Sequence, residues 1–112
     1  MKKFLVLYKA PIEEMQKMGT ATPEQQKAGM AGWMEWMATH KADLVDGGAP
    51  VGKTKVISNE GVTDTKNDVG GYSITQAESH DEAMKIFVGS PHLSHMNGAT
   101  VEVMEIKEMP GM

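Results

Sequence analysis

A short segment near the start of the chain, Phe4 to Tyr8, is apolar at every position. Because successive side chains of a strand point to opposite faces, Phe4, Val6 and Tyr8 share one face, whereas Leu5 and Leu7 share the other. A strand that is apolar on both faces needs cover on both sides of its sheet. The sequence therefore predicts a sheet with packing partners on both sides.

The sequence contains start signals for two helices. Thr22 to Gln25 combines an N-cap threonine, a proline at the first helical position and a capping-box glutamine three residues after the cap. Ser79 to Glu82 repeats the capping pattern, and Gly89-Ser90-Pro91 stops the second helix after about two turns. These signals predict a helix from Pro23 and a shorter helix after Ser79.

The helix that begins at Pro23 is predicted to be amphipathic. At 100° per residue, one stripe collects Met30, Trp33, Met37, His40 and Leu44. Residues 46–50, Asp-Gly-Gly-Ala-Pro, are expected to end the helix, because glycine takes the left-handed cap and proline cannot continue a helix. His40 is thus expected inside the apolar face.

Three further segments are predicted to be strands: Val51 to Ser58, Tyr72 to Gln76 with Tyr72 and Ile74 on the buried side, and Thr100 to Glu108. Polar residues 62–69 and irregular residues 91–98 connect them. The order β-α-β-β-α-β predicts an α+β, ferredoxin-like single domain over residues 1–112, with a four-stranded antiparallel sheet. Its helices cover one face, so a second copy is expected on the other, forming a dimeric α/β barrel.

Composition excludes several classes of function. The formal net charge is −4, and all eleven cationic side chains are lysines, so nucleic-acid binding is not expected. No cysteine is present, which excludes disulfides and thiolate chemistry. No run approaches the roughly 20 apolar residues of a membrane span. We expect a cytoplasmic protein without a membrane segment, its start forming a strand rather than a signal peptide.

Several motifs resemble those of a known family. They are Gly70-Gly71-Tyr72, the helix start Ser79-His80-Asp81-Glu82-Ala83, Ser90-Pro91-His92, Val101-Glu102-Val103, and the tryptophan-bearing helix leading through Asp46-Gly47-Gly48 and Pro50 into a strand. Together they are similar to the YCII-related (DGPF-type) domain over nearly the whole chain. The Asp-Gly-Pro-Phe segment itself is absent, and residues 62–66 stand in its region. The resemblance implies a dimeric α/β barrel and, in some members, an enzymatic site built on a His-Asp pair in a cavity.

His40 is the strongest candidate for chemistry. A histidine on an apolar face, followed by Asp43 and Asp46, has the arrangement of a general base oriented by a carboxylate. The alternative is structural, since an imidazolium near a helix C-terminus is stabilised by about 0.3–1 kcal/mol against the helix dipole. The three residues are predicted as a catalytic set, with His40 as base and either aspartate as its orienter.

Aromatic and methionine side chains supply a candidate ligand site. Trp33 and Trp36, three residues apart, predict one wall of a pocket for a flat organic molecule, with Met37 beside them and Tyr72 as a hydroxyl donor. Core packing is the alternative for each. The eleven methionines include Met30 and Met34 on the same helix and indicate an adaptable surface, either a pocket or a dimer interface.

His92 and His95 form an H-x-x-H pair that could supply two ligands to zinc or iron. The pair lacks the spacing and glutamate of a zinc protease, and an ordinary loop explains it, so neither a metal nor another cofactor is expected. The leading hypothesis is a homodimer that binds a small organic ligand between the long helix and the sheet, with cofactor-independent acid/base catalysis. The alternative is a non-catalytic homodimeric binding or assembly module.

Overall fold

The computed structural model describes residues 1–18 and 20–110. A four-stranded antiparallel sheet carries helices on one side, and a separate two-stranded hairpin extends from it. The elements in chain order are β1 (Lys2–Lys9), α1 (Ile12–Met18), α2 (Pro23–Thr39), β2 (Leu44–Pro50), β3 (Thr54–Ser58), β4 (Gly61–Thr65), β5 (Val69–Ala77), α3 (His80–Phe87), α4 (His92–His95) and β6 (Thr100–Glu105).

The strand order of the main sheet is β2-β5-β1-β6, and every neighbouring pair is antiparallel. The first and last strands are adjacent, and the two βαβ units interlock, which is the ferredoxin-like arrangement. The predicted fold class is confirmed. Strands β1 and β5 lie in the centre, so the strand that is apolar on both faces is one of the two most protected strands of the sheet.

One face of the sheet packs against α2 and α3 and forms the core. Phe4 and Val6 are fully buried on this face, and Tyr8 is nearly so. Trp36 and Phe87 meet Val6 and Tyr8 from the helices, with Trp33, Met37, Leu44, Ile86, Val101 and Val103 partly buried around them. Burial of this apolar surface is the main source of stability for such a layer. The predicted alternation of β1 is confirmed on this face.

Both predicted helix starts are confirmed. The side chain of Thr22 accepts a hydrogen bond from the backbone of Gln25 at 3.1 Å, and the side chain of Gln25 accepts one from the backbone of Thr22 at 2.9 Å. At α3, the Ser79 hydroxyl accepts a hydrogen bond from the backbone of Glu82 at 3.2 Å. These caps satisfy amide groups that have no partner within the first turn of a helix.

The predicted end of the long helix was wrong. Helix α2 stops at Thr39, and Leu44–Pro50 is an edge strand paired with β5. The glycines that were expected to cap the helix lie inside this strand, where its register with β5 shifts. Gly48 has a φ of 75°, and a Cβ there would overlap the carbonyl oxygen of Tyr72. Gly48 therefore serves a bulge that brings the two strands close together, not a helix C-cap.

The segment after Pro50 also differs from the expectation. Residues 51–53 lie outside any strand, and β3 pairs with β4 in the hairpin instead of joining the main sheet. Residues 61–65, predicted to be a polar connection, supply β4. The alternation of polar and apolar side chains correctly indicates a strand over residues 54–58, but such a pattern does not specify the pairing partner.

The faces of β5 are reversed relative to the prediction. Tyr72 and Ile74 pair with Leu7 and Leu5 across the sheet and therefore share the face without helices. The helix-covered face of β5 carries Ser73 and Thr75, both buried. Their hydroxyls find hydrogen-bond partners in Tyr8 and in backbone carbonyls of the segment that follows α2.

Three elements differ from the predicted set. Helix α1 follows Pro11, where no helix or strand was predicted, α4 occupies part of the segment expected to be irregular, and β6 ends at Glu105 instead of residue 108. No helix in the described ranges is both long and apolar enough to cross a membrane.

Candidate functional site

His40 lies at the C-terminal end of α2, one residue beyond the helix. Its backbone N–H donates the last helical hydrogen bond, to the carbonyl of Trp36 at 3.1 Å. Its ring packs on the Trp36 ring with centroids 4.8 Å apart, and 26% of the side chain is exposed. His40 therefore lies at the margin of the apolar core, instead of within a continuous helical stripe as predicted.

Asp43 is the carboxylate that the structure brings to His40. Nδ1 of His40 lies 3.4 Å from Oδ2 of Asp43, which is long for a hydrogen bond, although such bonds are often loose before a ligand binds. A turn joins them, closed by a hydrogen bond from the Asp43 amide to the His40 carbonyl at 2.9 Å. Nε2 of His40 makes no hydrogen bond to the residues that the structure describes, so this nitrogen is available to a ligand.

Strand β5 fixes the turn between His40 and Asp43 through hydrogen bonds. The carbonyl oxygen of Asp43 accepts a hydrogen bond from the hydroxyl of Thr75 at 2.6 Å and another from the amide of Gln76 at 3.0 Å. Thr75 is fully buried. Two donors on one carbonyl fix the backbone of Asp43 against β5, so the central strand sets the position of the His40–Asp43 pair.

Asp46, the other predicted orienter, has a different partner. Its side chain is exposed, and its Oδ1 accepts a hydrogen bond from the backbone of Gly48 at 2.8 Å. This local bond supports the bulge of β2. Of the two aspartates proposed from the sequence, the structure brings only Asp43 within reach of His40.

Trp33, Trp36 and Met37 lie together beneath α2, but the tryptophans mainly contribute to the core. The Trp33 ring meets Tyr8 edge-on at a centroid distance of 5.0 Å, and Trp36 packs on Phe87 at 5.4 Å. Tyr72, grouped with them from the sequence, lies on the opposite face of the sheet. The structure therefore does not place Tyr72 in one pocket with the tryptophans.

An open cleft lies beside this cluster, between the end of α2 and the edge strand β2. Its volume is about 320 Å³, near the lower end for ligand sites, and its lining residues are Met37, Ala38, Lys41, Leu44 and Gly47. The methyl group of Met37 reaches Gly47 so closely that a Cβ there would lie 2.6 Å from it. His40 does not line the cleft; in sequence it stands between Ala38 and Lys41, which do.

A buried hydrogen-bond chain runs from the core to the floor of this cleft. The hydroxyl of Tyr8 lies 2.8 Å from Oγ of Ser73, which donates at 2.8 Å to the carbonyl of Gly47. The Ser73 proton is engaged with Gly47, so Tyr8 donates to Ser73. Burial raises the pKa of the Tyr8 phenol, and the bond to Ser73 partly opposes this effect. Sequence reasoning missed this chain, although a tyrosine on the core-facing side of a strand signals the need for a hydroxyl partner.

The H-x-x-H pair spans the short helix α4. His92 is buried, and its Nε2 donates to the carbonyl of Lys9 at 2.7 Å, which explains it as a packing residue. The side chain of His95 lies outside the described part of the structure. Among the side chains that the structure describes, no group of three or more histidines, aspartates or glutamates could hold a metal ion.

Comparison with solved structures supports the fold described above. The structure resembles that of the 5-chloro-2-hydroxyhydroquinone dehydrochlorinase TftG from Burkholderia phenoliruptrix AC1100, solved in complex with 2,5-dihydroxybenzoquinone. The TM-score is 0.53 and the sequence identity 19%, over 89% of this chain and 90% of that one. At this identity the likeness establishes the fold alone. No curated protein sequence matches the chain significantly.

The family is established by the sequence itself. The short motifs that indicate the family, among them Gly70-Gly71-Tyr72 and the capped start of α3, are distributed along most of the chain. A family model described as YCII-related domain matches residues 2–110, which is almost the entire chain. The chain belongs to the YCII-related domain family.

Proposed function

We propose that this protein binds a small organic ligand in the cleft between α2 and β2, and that His40 acts on the ligand as a general base. The observation that carries the proposal is the His40–Asp43 pair, whose Nε2 makes no hydrogen bond to the described residues and which follows the same end of α2 that supplies Ala38 and Lys41 to the cleft. Membership of the YCII-related family and the fold shared with a small-molecule enzyme support it.

The chemistry follows from the two ring nitrogens. If Nδ1 carries its proton toward Asp43, Nε2 keeps a lone pair and can remove a proton from a ligand O–H or C–H group. The resulting imidazolium is then stabilised by the Asp43 carboxylate, whose backbone Thr75 and Gln76 hold in place. Dehydrochlorination, the reaction named for the structural neighbour, removes hydrogen chloride and also requires a base for the proton.

The binding half of the proposal can be tested with the neighbour's ligand, 2,5-dihydroxybenzoquinone. Protein labelled with ¹³C at the methionine methyl groups is titrated with this compound by NMR. We expect a saturable shift of the Met37 signal, because its methyl group borders the cleft, and little change at Met30, which is exposed elsewhere on α2. A Met37 signal that does not move at millimolar ligand contradicts binding in the cleft.

The catalytic half is tested by chloride release from 5-chloro-2-hydroxyhydroquinone. We expect His40→Gln to lower the rate by about 10²–10⁴-fold, the usual contribution of a general base. Asp43→Asn is expected to lower it less, and Asp46→Asn, the matched control on the neighbouring strand, to leave it unchanged. A wild-type protein that leaves the compound intact, or a His40→Gln variant as active as wild type, contradicts the assignment.

A second candidate, a non-catalytic homodimeric module, is favoured by the face of the sheet that carries no helix. This face presents an apolar row across three strands, formed by Ile74, Leu5 and Met104, with Leu7 and Tyr72 in the next row. We propose that a second copy covers it. If the protein serves assembly alone, no small molecule raises its melting temperature, whereas dilution lowers it.

A further inference from the structure

The cleft between α2 and β2 contains one charged side chain, Lys41, among otherwise apolar or small residues. In the described part of the chain, Lys41 makes no ion pair within 4 Å, unlike Lys9, Lys17 and Lys55. Its ammonium group is thus free to meet a ligand at the mouth of the cleft.

The carboxylates nearest to Lys41 in sequence already have partners. Asp43 faces His40, and Asp46 accepts the amide of Gly48. The positive charge at the cleft therefore lacks a neutralising carboxylate from its own segment, although the whole chain carries a net charge of −4. An anionic ligand group would supply the missing partner.

The rest of the lining specifies the other part of the ligand. Met37, Ala38 and Leu44 offer apolar surface, and the thioether of Met37 adapts to flat or irregular shapes. A cleft of about 320 Å³ suits a compound with a single ring. An apolar body with one ionised oxygen group would satisfy both parts of the lining.

We propose that Lys41 makes this cleft selective for single-ring organic anions, such as ring carboxylates or acidic ring hydroxyls. The inference rests on the proposed function, because it names the ligand class of the same site. Lys41 pairs with the ionised oxygen while the ring lies against Met37 and Leu44. A ligand held in this way lies beside His40, which takes no part in the selection for charge.

The test compares two compounds that differ in charge but share a ring. 2,5-Dihydroxybenzoquinone is a vinylogous acid and is ionised at neutral pH, whereas its dimethyl ether, 2,5-dimethoxybenzoquinone, has no acidic proton. Dissociation constants are measured for both by NMR through the Met37 methyl signal. We expect wild type to bind the anion about tenfold more tightly than the ether, because one partly exposed charge-assisted contact is worth about that much.

Variants of Lys41 test the contribution of its charge to binding separately from the contribution of the rest of the cleft. Lys41→Met keeps the length and apolar character of the side chain, and we expect it to abolish the preference for the anion while leaving binding of the ether unchanged. Lys41→Arg should preserve the preference, and Lys27→Met, on the first turns of the same helix, should behave as wild type. Raising the salt concentration should weaken anion binding to wild type but not to Lys41→Met.

Gly47→Ala distinguishes failure of the proposed binding site from failure of the proposed selectivity for anions. The added methyl group meets the terminal methyl of Met37 and pushes this flexible side chain into the cleft, so binding of both compounds should fall. If Gly47→Ala binds both as wild type does, the cleft is not the site and the proposed function fails. If Gly47→Ala weakens both but Lys41→Met keeps the preference for the anion, only the selectivity inference is overturned, and Lys41 serves the end of the helix instead.

Discussion

At the scale of single residues, hydroxyl groups and glycines determine the geometry around the candidate site. Thr75 and Ser73 lie on the buried face of β5 and bond to carbonyls of the segment that follows α2. Gly48 permits the bulge that accommodates this segment. The catalytic candidate His40 thus depends on residues of another strand for its position.

Gly48→Ala should destabilise the fold strongly. A Cβ at this position would overlap the Tyr72 carbonyl, and a φ of 75° is itself unfavourable by about 1–2 kcal/mol for a residue with a side chain. We expect the free energy of unfolding in urea to fall by more than about 2 kcal/mol. Gly32→Ala is the matched control, because its Cβ meets open space within α2 and should raise stability by roughly 0.5–1 kcal/mol. Equal effects of the two substitutions would refute the assigned role of the bulge.

Tyr8→Phe should alter the dependence of stability on alkaline pH. Burial raises the folded-state pKa of Tyr8 above the ordinary value of 10.0, so the folded state keeps a proton that the unfolded chain releases. The stability linked to this group is complete below about pH 10 and is lost as the pH rises through the folded-state pKa. We expect the free energy of unfolding, measured from pH 8 to pH 11, to fall more steeply for wild type than for Tyr8→Phe.

The same comparison also measures the hydrogen bond. At pH 7, loss of the bond between Tyr8 and Ser73 should cost Tyr8→Phe about 0.5–1.5 kcal/mol. Lys9, whose pKa is raised by its hydrogen bond to Glu102, titrates in both proteins and so does not distinguish them. Parallel alkaline slopes for the two proteins would show that the Tyr8 proton is not linked to folding.

At the scale of elements, the two edge strands of the main sheet are protected in different ways from pairing with another edge. Strand β2 is irregular, with register shifts and a terminal Pro50, features that discourage pairing with another edge. Strand β6 is protected by His80, whose Nε2 donates to the carbonyl of Val103 at 2.7 Å while its ring packs on Phe4 at 5.2 Å. The β3–β4 hairpin lies apart from both edges and leaves Ile57 80% exposed.

Removal of the hairpin should leave the fold of one chain almost intact. Replacing residues 53–66 by a four-residue Gly-Ser linker keeps the bonds at its base, from Val51 to Gly70 and from Ala10 to Asp68. Nearly all hairpin residues are exposed, and a lone two-stranded hairpin adds little stability. We expect the free energy of unfolding in urea to change by less than about 1 kcal/mol. A loss above about 3 kcal/mol would show instead that the hairpin packs in an interface.

At the scale of the whole molecule, the sheet has one covered face and one open face. The helices bury Phe4, Val6 and Tyr8 on the first, whereas Leu5 and Leu7 on the second remain half-buried. At one end of the open face, Lys9 lies 3.3 Å from Glu102 and 3.5 Å from Asp68, so these charges are already paired within the chain. A second copy could therefore cover the apolar rows without leaving these charges unpaired.

Ile74→Lys should dissociate the proposed dimer. The substitution places a charge at one end of the apolar row that Ile74 forms with Leu5 and Met104, where desolvation in an interface would be costly. We expect wild type to sediment as a dimer at micromolar concentration, and Ile74→Lys as a monomer of 12.2 kDa. Met34→Lys, which makes the same kind of change at a side chain 65% exposed on α2, should remain dimeric. A wild-type protein that is monomeric throughout would rule out the dimer.

Features that depend on neighbours along the chain could be predicted from local sequence. The caps at Thr22 and Ser79 fixed where two helices begin, because each cap is a bond between residues three positions apart. Alternation in β1 fixed its two faces, and the order of elements fixed the ferredoxin-like fold. The three-residue spacing of His40 and Asp43 also made their contact possible, although the sequence did not distinguish Asp43 from Asp46 as the partner.

Features that depend on distant partners follow instead from long-range pairing. Helix α2 ends at Thr39 because Leu44–Pro50 gains hydrogen bonds with β5, whose paired residues are 21 to 31 positions away in sequence. The same pairing directs Asp46 to the Gly48 bulge and forms one side of the cleft beside Lys41, whereas the pairing of β5 with β1 turns Tyr72 away from Trp33 and Trp36. Which arrangement forms depends on the relative free energies of competing long-range pairings. Local propensity contributes little to this difference in free energy.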